Sequence, residues 1–207
     1  MSLRMALMVM LGICSLACTA CMNLGLSTSP AARFYMLEAT VETRMSTGLQ
    51  DGPADTILGV GPVTIPLYLD RPQLVSRLEG SELRVDDFRL WAEPLKANIL
   101  RVIQENLAVL TDAKQVYSYH QKRSVAVDYQ ITLDVLRFDA DADGKVTLKS
   151  VWRIVESDGH KRVMEMRSTI VQPSGSSAIA DVVDAMSMAL AELSEEMAQA
   201  LVHWLPR

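Results

Sequence analysis

The sequence predicts an α+β fold, in which two amphipathic helices pack on one face of a mainly antiparallel sheet. Apolar residues recur at helical spacing in two segments, residues 95–110 and 178–205. Residues 124–157 instead alternate between apolar and polar side chains in two runs around a turn, as a β-hairpin does. The predicted order is strand, strand, helix, three strands, helix. That order favours helices gathered on one face of an antiparallel sheet over alternating β-α-β units.

In the first half of the chain, two strands precede the first helix. Residues 33–42 and 56–69 are rich in aromatic and β-branched residues, which are typical of strands. Proline removes a donor from the sheet ladder, so the prolines of the second segment predict an edge strand or a bulge. Residues 81–92 are expected to add one or two short strands. Pro94 then fits the first turn of the helix, where its missing N–H costs least.

In the second half, the hairpin is followed by one more strand and the long helix. Residues 160–172 form that strand, and residues 173–177 (PSGSS) form a linker or a cap region before the helix. Met164 and Met166 alternate along the strand and fall on one of its faces. Packing in the core is the favoured interpretation of this pair, and an apolar surface that touches lipid or a partner helix is the alternative.

All the cysteines of the chain lie within residues 14–21. A short positive start, an apolar run and small residues before the cysteines form the layout of a secretory signal, and the apolar run is too short to span a bilayer comfortably. A bacterial signal that ends at cysteine is a lipoprotein signal, in which that cysteine is acylated. Cys18 follows Ser-Leu-Ala and fits slightly better than Cys21, which follows Cys-Thr-Ala. An ordinary secreted protein with a cleaved signal is the alternative.

These features divide the chain into a signal peptide (1–17), a tether (18–33) and a single domain (34–207), with cleavage before Cys18 or before Cys21. The formal net charge is -5, and cleavage before Cys18 removes Arg4 and leaves -6. An acidic balance argues against nucleic acid as a partner, because phosphate binding needs a concentrated basic surface. The same balance predicts no basic patch for anionic lipid headgroups, so that the anchor alone would hold the protein at a membrane.

No residue pattern predicts catalysis, a cofactor or a metal. Residues 139–144 read DADADG and resemble the opening of an EF-hand loop, but Ser150 stands where the bidentate Glu belongs and the flanks predict strands. An acidic hairpin turn is the favoured interpretation of this motif, with a calcium site as the alternative. The three histidines, at positions 120, 160 and 203, lack ligand spacing, and no nucleophile elbow or phosphate loop is present. The chain is therefore not expected to be an enzyme.

Three stretches together resemble a known family. They are FYML (34–37), GVGPVTIPLYLDRPQLVSR (59–77) and FRLWAEPL (88–95), the second being the most specific. In this order, they are similar to the PqiC family of ABC-type transport auxiliary lipoproteins, over nearly the whole predicted mature chain.

The resemblance implies a non-catalytic periplasmic lipoprotein subunit of an MCE-type system, which moves lipids between the two membranes and maintains envelope integrity. Its implied partners are an MCE-domain protein, inner-membrane transporter components, phospholipid and further copies of itself. Neither Thr19 nor Met22 is the Asp that retains lipoproteins in the inner membrane, so docking at the outer membrane is expected, with inner-membrane anchoring as the alternative. A lipid shuttle with a pocket between helix and sheet, and a structural envelope lipoprotein, are the competing functions.

Four residues of the resembling stretches are candidates for interface contacts. Tyrosine and tryptophan are common interface anchors, which makes Tyr68 and Trp91 candidate assembly contacts. Arg71 and Arg77 are expected to pair with acids or to bind a neighbouring subunit. Structural roles are favoured over ligand contacts for these motif residues.

Overall fold

A computed structural model of the chain describes residues 30–41, 56–111, 113, 115–118, 126–156 and 162–204. The compact unit Ala32–Arg207 contains every residue of the hydrophobic core cluster. Among the described residues, no helix is both long enough and apolar enough to cross a bilayer. The candidate acylation sites Cys18 and Cys21 lie outside the described residues.

The described residues form an eight-stranded sheet and two helices, which confirms the predicted α+β class. The strands are β1 (Arg33–Tyr35), β2 (Ile57–Thr64), β3 (Gln73–Arg77), β4 (Leu83–Trp91), β5 (Gln115–Ser118), β6 (Tyr129–Ala140), β7 (Lys145–Glu156) and β8 (Arg162–Pro173). The helices are α1 (Leu95–Leu110) and α2 (Ile179–Trp204). Pro94 is the N-cap residue of α1, one position before its predicted place in the first turn.

Strand β6 is the centre of the sheet. One edge of β6 pairs antiparallel with β7, and β7 pairs antiparallel with β8. The other edge pairs in parallel with β2 along its first half and with β3 at its end, so β2 and β3 follow one another along β6. The remaining pairs are β5 on β2, β4 on β3 and β1 on β4. The long ladders are antiparallel as predicted, and the short ones are mostly parallel.

Strand β2 is flanked by β5 and β6, so it is not an edge strand. The prolines were expected to mark either an edge strand or a bulge, and an irregularity is what the structure has. The register of β2 with β6 shifts between Val60 and Val63, on either side of Pro62. Proline at an irregularity leaves no ladder donor unpaired. Strands β3 and β5 were not predicted, because four or five residues are too few to show a clear alternation.

The core lies between the two helices and one face of the sheet. α1 and α2 contact each other, α1 packs on β2 and β5, and α2 packs on β7 and β8. Trp152 is fully buried there, and its Nε1–H donates to the Ser168 hydroxyl at 2.9 Å. Met164 packs against the core as predicted, whereas Met166 is 44% exposed.

Candidate functional site

The three stretches that carry the family resemblance meet at one corner of the domain. The Trp91 N–H donates to the Pro72 carbonyl at 2.7 Å, and the Ala92 N–H donates to the Tyr35 carbonyl at 2.8 Å. β4 thus holds β3 on one side and β1 on the other. We call residues 34–37, 66–73 and 91–95 the motif corner.

An asparagine clamp fixes the end of the first stretch to helix α1. Asn98 Oδ1 accepts from the Leu37 N–H at 2.7 Å, and Asn98 Nδ2 donates to the Leu37 carbonyl at 3.0 Å. Arg101 Nη2 donates to the same carbonyl at 3.1 Å. Leu37 and Asn98 are both buried, so these bonds replace water at backbone groups that have no access to it. Sequence reasoning missed the clamp, and its one signal was a polar residue in the apolar stripe of α1.

The turn that follows β2 is anchored on the side that faces the protein, and the residue at its tip is exposed to solvent. The Leu69 N–H donates to the Pro66 carbonyl at 2.9 Å, and the Leu69 side chain is buried in the core. The Tyr68 hydroxyl donates to Asp139 at 2.9 Å. Leu67, between these anchored residues, is 86% exposed. A large apolar side chain held in solvent by a well-anchored turn is suited to contact with a partner.

A cleft of about 310 Å³ opens beside this turn, at the start of α1. Arg71 is exposed at the cleft, and Glu93 is paired with Arg101 at 3.3 Å. Trp91 is 6% exposed and belongs to the core cluster, so it forms part of the wall and does not protrude as an anchor. The lining residues are Asp70, Arg71, Pro72, Trp91, Ala92, Glu93, Pro94 and Leu95. The structure therefore places Arg71 and Trp91 at one cleft.

The other two candidate residues, Tyr68 and Arg77, meet on a buried carboxylate. The Asp139 side chain is 0% exposed and accepts from Tyr68, from Arg77 Nη2 at 3.2 Å and from Arg137 Nε at 2.8 Å. A buried carboxylate needs such partners, because desolvation otherwise disfavours its charge strongly. Arg77 thus pairs with an acid, as one of its two expected roles required. Sequence reasoning missed Asp139 and Arg137 as members of this network.

The acidic segment 139–144 is built as a hairpin turn. Asp141 Oδ1 accepts from the backbone N–H of Asp143 at 3.1 Å and of Lys145 at 2.8 Å. The Asp139 carboxylate is directed to arginines and not to the turn. Among the residues that the structure describes, no three His, Cys, Asp or Glu side chains are grouped to hold a metal. The geometry favours the turn over the calcium alternative.

Tyr68 is expected to lose its proton well above its ordinary range. Burial and the hydrogen bond to Asp139 raise the pKa of Tyr68 from 10.0 to about 12. The stabilisation by neutral Tyr68 is therefore complete below pH 10 and is lost as the pH rises through 12. The difference in tyrosinate absorbance between the wild type and Tyr68→Phe should titrate near pH 12. A midpoint near 10 would show that the phenol is not held by Asp139.

A second polar network lies nearer the start of β6. Arg153 donates to Asp134 and to Glu165, each at 2.6 Å, and Thr64 donates to Asp134 at 2.7 Å. The hydrogen bond from Arg153 and then that from Thr64 hold the pKa of Asp134 below its ordinary value. Both networks use side chains of β6 that point away from the helices.

We call this side of β6, β7 and β8, together with Arg77, the open face. Its charges correct the expectation that the acidic chain has no basic patch. Among the residues whose side chains the structure describes, the open face carries six cations and three carboxylates, a net charge of +3, whereas α2 carries five carboxylates and neither Lys nor Arg. Side chains alternate between the two faces of a strand, so cations can collect on one face even though the net charge of the whole chain is negative. The open-face charges are Arg77, Arg137, Lys145, Lys149, Arg153, Arg167, Asp134, Asp139 and Glu165.

A family comparison settles the class of this chain. The model of the family described as ABC-type transport auxiliary lipoprotein component matches residues 35–198. The chain belongs to this family. The match covers the motif corner from Tyr35 onwards, both networks, all of α1, and α2 as far as Ala198. Membership makes the chain a lipoprotein component of the transport-auxiliary class, which works with transporter partners and is not a known enzyme class. No curated protein matches the chain in a sequence comparison.

Two solved structures have the same fold as this auxiliary lipoprotein. A Xanthomonas campestris protein of the DUF330 family is 21% identical, with a TM-score of 0.65 over 82% of this chain and 95% of its own. An uncharacterized protein is 17% identical, with a TM-score of 0.66 over 82% of this chain and 98% of its own. At these identities, the likeness concerns the fold alone.

The space between the sheet and the helices bears on the shuttle alternative. Trp91, Phe138 and Met186 are among the residues around a cavity of about 20 Å³. That volume suits one water molecule, whereas pockets for small-molecule ligands hold roughly 300–1,000 Å³. The cavity is therefore too small for an acyl chain.

Proposed function

We propose that this auxiliary lipoprotein is a non-catalytic subunit of an MCE-type intermembrane lipid transport system. It docks the transport complex at the periplasmic face of the outer membrane and so maintains envelope integrity. An acyl anchor at Cys18 or Cys21 holds it to that membrane, and it works as a homo-oligomer. Its partners are an MCE-domain protein and the inner-membrane components of the transporter.

The motif corner is the observation that carries this proposal. The three stretches on which the family resemblance rests are far apart in sequence, yet two backbone hydrogen bonds join them. The corner exposes Leu67 and Arg71 on a turn that is fixed by Tyr68 and Leu69. An anchored tip that presents an exposed leucine, an acid (Asp70) and an arginine beside a cleft suits protein docking, because little conformational entropy is lost on binding.

Docking is favoured over lipid carriage by the size of the core cavity. A shuttle has to shield acyl chains from water, and about 20 Å³ beneath the helices does not allow that. A purely structural envelope role would give the exposed corner no partner.

Affinity purification of the tagged full-length protein from gently solubilised membranes tests this function. Mass spectrometry should find an MCE-domain partner and an N-terminal peptide acylated at Cys18 or Cys21. An acylated protein that retains no MCE partner after crosslinking would contradict the transporter role, and an unmodified N-terminus would contradict the anchor.

Arg71→Glu is expected to reduce recovery of the MCE partner at least about tenfold, because it reverses a charge at the centre of the proposed contact. Arg84→Glu is the matched control. Arg84 is also exposed, and it lies seven residues along β4 from Trp91, roughly 23 Å away. Equal recovery with both variants would show that the partner does not bind at the motif corner.

A further inference from the structure

The centre of the open face places like charges side by side. Arg137 of β6 lies directly opposite Lys149 of β7, and Arg167 of β8 is diagonal to Lys149, because it pairs with Val151. Like charges directly opposite one another destabilise a sheet. Violations of such local rules concentrate at functional sites. Asp139 already offsets the charge of Arg137, and a bound anion would offset the charges of Lys149 and Arg167 beside it.

The two arginines that bind Asp139 also have N–H groups that do not donate to this carboxylate. Each guanidinium carries five N–H groups, and Arg137 donates to Asp139 only through Nε. Its two terminal nitrogens have no hydrogen-bond partner among the residues that the structure describes. The buried carboxylate therefore fixes Arg137 and Arg77 while leaving planar donors at a surface that is about a quarter exposed. Such fixed forks match the geometry of phosphate.

Apolar side chains lie among these cations. Val171 is 48% exposed and belongs to the row Asp139, Thr147, Val171 across the three strands. Leu136 is 52% exposed and precedes Arg137 at an irregularity in the ladder. A site for free phosphate would not need exposed aliphatic groups. A site for an acidic protein would need more cations than this face has. Cations mixed with aliphatic side chains instead suit the boundary between headgroups and acyl chains.

We propose that the open face binds the phosphates of an anionic phospholipid surface, with Arg137, Lys149 and Arg167 as its centre. The face then lies against the headgroups, while the acidic helix α2, on the other side of the sheet, points away from them. This orientation requires no transporter partner, so it stands apart from the proposed docking function. It gives the protein a second membrane contact besides its predicted anchor.

The unit Ala32–Arg207, which contains the whole core, tests the proposal without an anchor. Its flotation with vesicles of phosphatidylcholine and phosphatidylglycerol is compared with its flotation with phosphatidylcholine alone. We expect binding to the anionic vesicles only, weakened by salt. Lys149→Glu/Arg167→Glu should bind at least about tenfold more weakly. Both side chains are exposed, so circular dichroism and the melting temperature should stay unchanged.

The control Arg84→Glu/Lys96→Glu makes the same change in net charge outside the open face and should float like the wild type. Equal losses in the two double variants would overturn the site, because net charge alone would then govern binding. Displacement from the vesicles by dilute inorganic phosphate would overturn the lipid as occupant. Absence of flotation, together with binding to polyglutamate, would assign the face to an acidic protein. None of these outcomes alters the copurification test of the docking function.

Discussion

Asp139→Ala is expected to lower the free energy of unfolding by about 3 kcal/mol, as loss of one partner from a buried ion pair does. The substitution leaves Arg77, Arg137 and Tyr68 without the acceptor that all three share. The arginines are about a quarter exposed, which places the effect at the lower end of the range for buried pairs. The Tyr68 turn should loosen as a consequence, and with it one side of the motif corner.

Urea unfolding of the unit Ala32–Arg207 measures this effect. Asp143→Ala is the control, because Asp143 is an exposed acid of the neighbouring turn and its loss should cost less than about 0.5 kcal/mol. If both alanine variants unfolded at the same urea concentration, Asp139 would not be holding the turn.

Asn98→Leu should have the second largest effect, a loss of about 2–3 kcal/mol. A leucine of similar size keeps the packing but leaves the buried Leu37 N–H without an acceptor. The Leu37 carbonyl keeps the bond from Arg101, so the unpaired N–H accounts for most of the loss. Limited proteolysis should also become faster at the β1 side of the motif corner, where the clamp joins the chain to α1.

Asn106→Leu provides a matched control for the clamp. Asn106 lies on the same helix and is equally buried, but its Oδ1 has no partner among the described residues and its Nδ2 donates only to Ser194, at 3.3 Å. The same substitution there should be close to neutral, because it removes an unsatisfied polar atom. A loss as large as that of Asn98→Leu would show that leucine is simply not tolerated in α1.

Local periodicity predicted the elements that are long enough to display it. Both helices and the β6–β7 hairpin span at least three turns or six alternations, so their patterns rise above chance. Strand β5, with four residues, has no such pattern. The order of strands around β6 depends on pairings between distant segments, which no local pattern contains.

The candidate site was predictable only in part, for the same reason. The resemblance located Tyr68, Arg71, Arg77 and Trp91, but the bond from Tyr68 to Asp139 joins residues 71 positions apart. Asp139 was therefore assigned to the acidic turn beside it in sequence. The net charge of -5 gave no indication of the cationic open face, although the alternation of side chains along β6, β7 and β8 places its cations on one side of the sheet.

A photo-crosslinking amino acid at position 71, in the full-length protein within intact cells, tests the central claim most directly. The same amino acid at position 184 on the exposed side of α2 is the reference. Our account predicts a crosslink from position 71 to an MCE-domain protein and none from position 184. A crosslink to that protein from position 184 alone, or equally from both positions, would contradict docking through the motif corner.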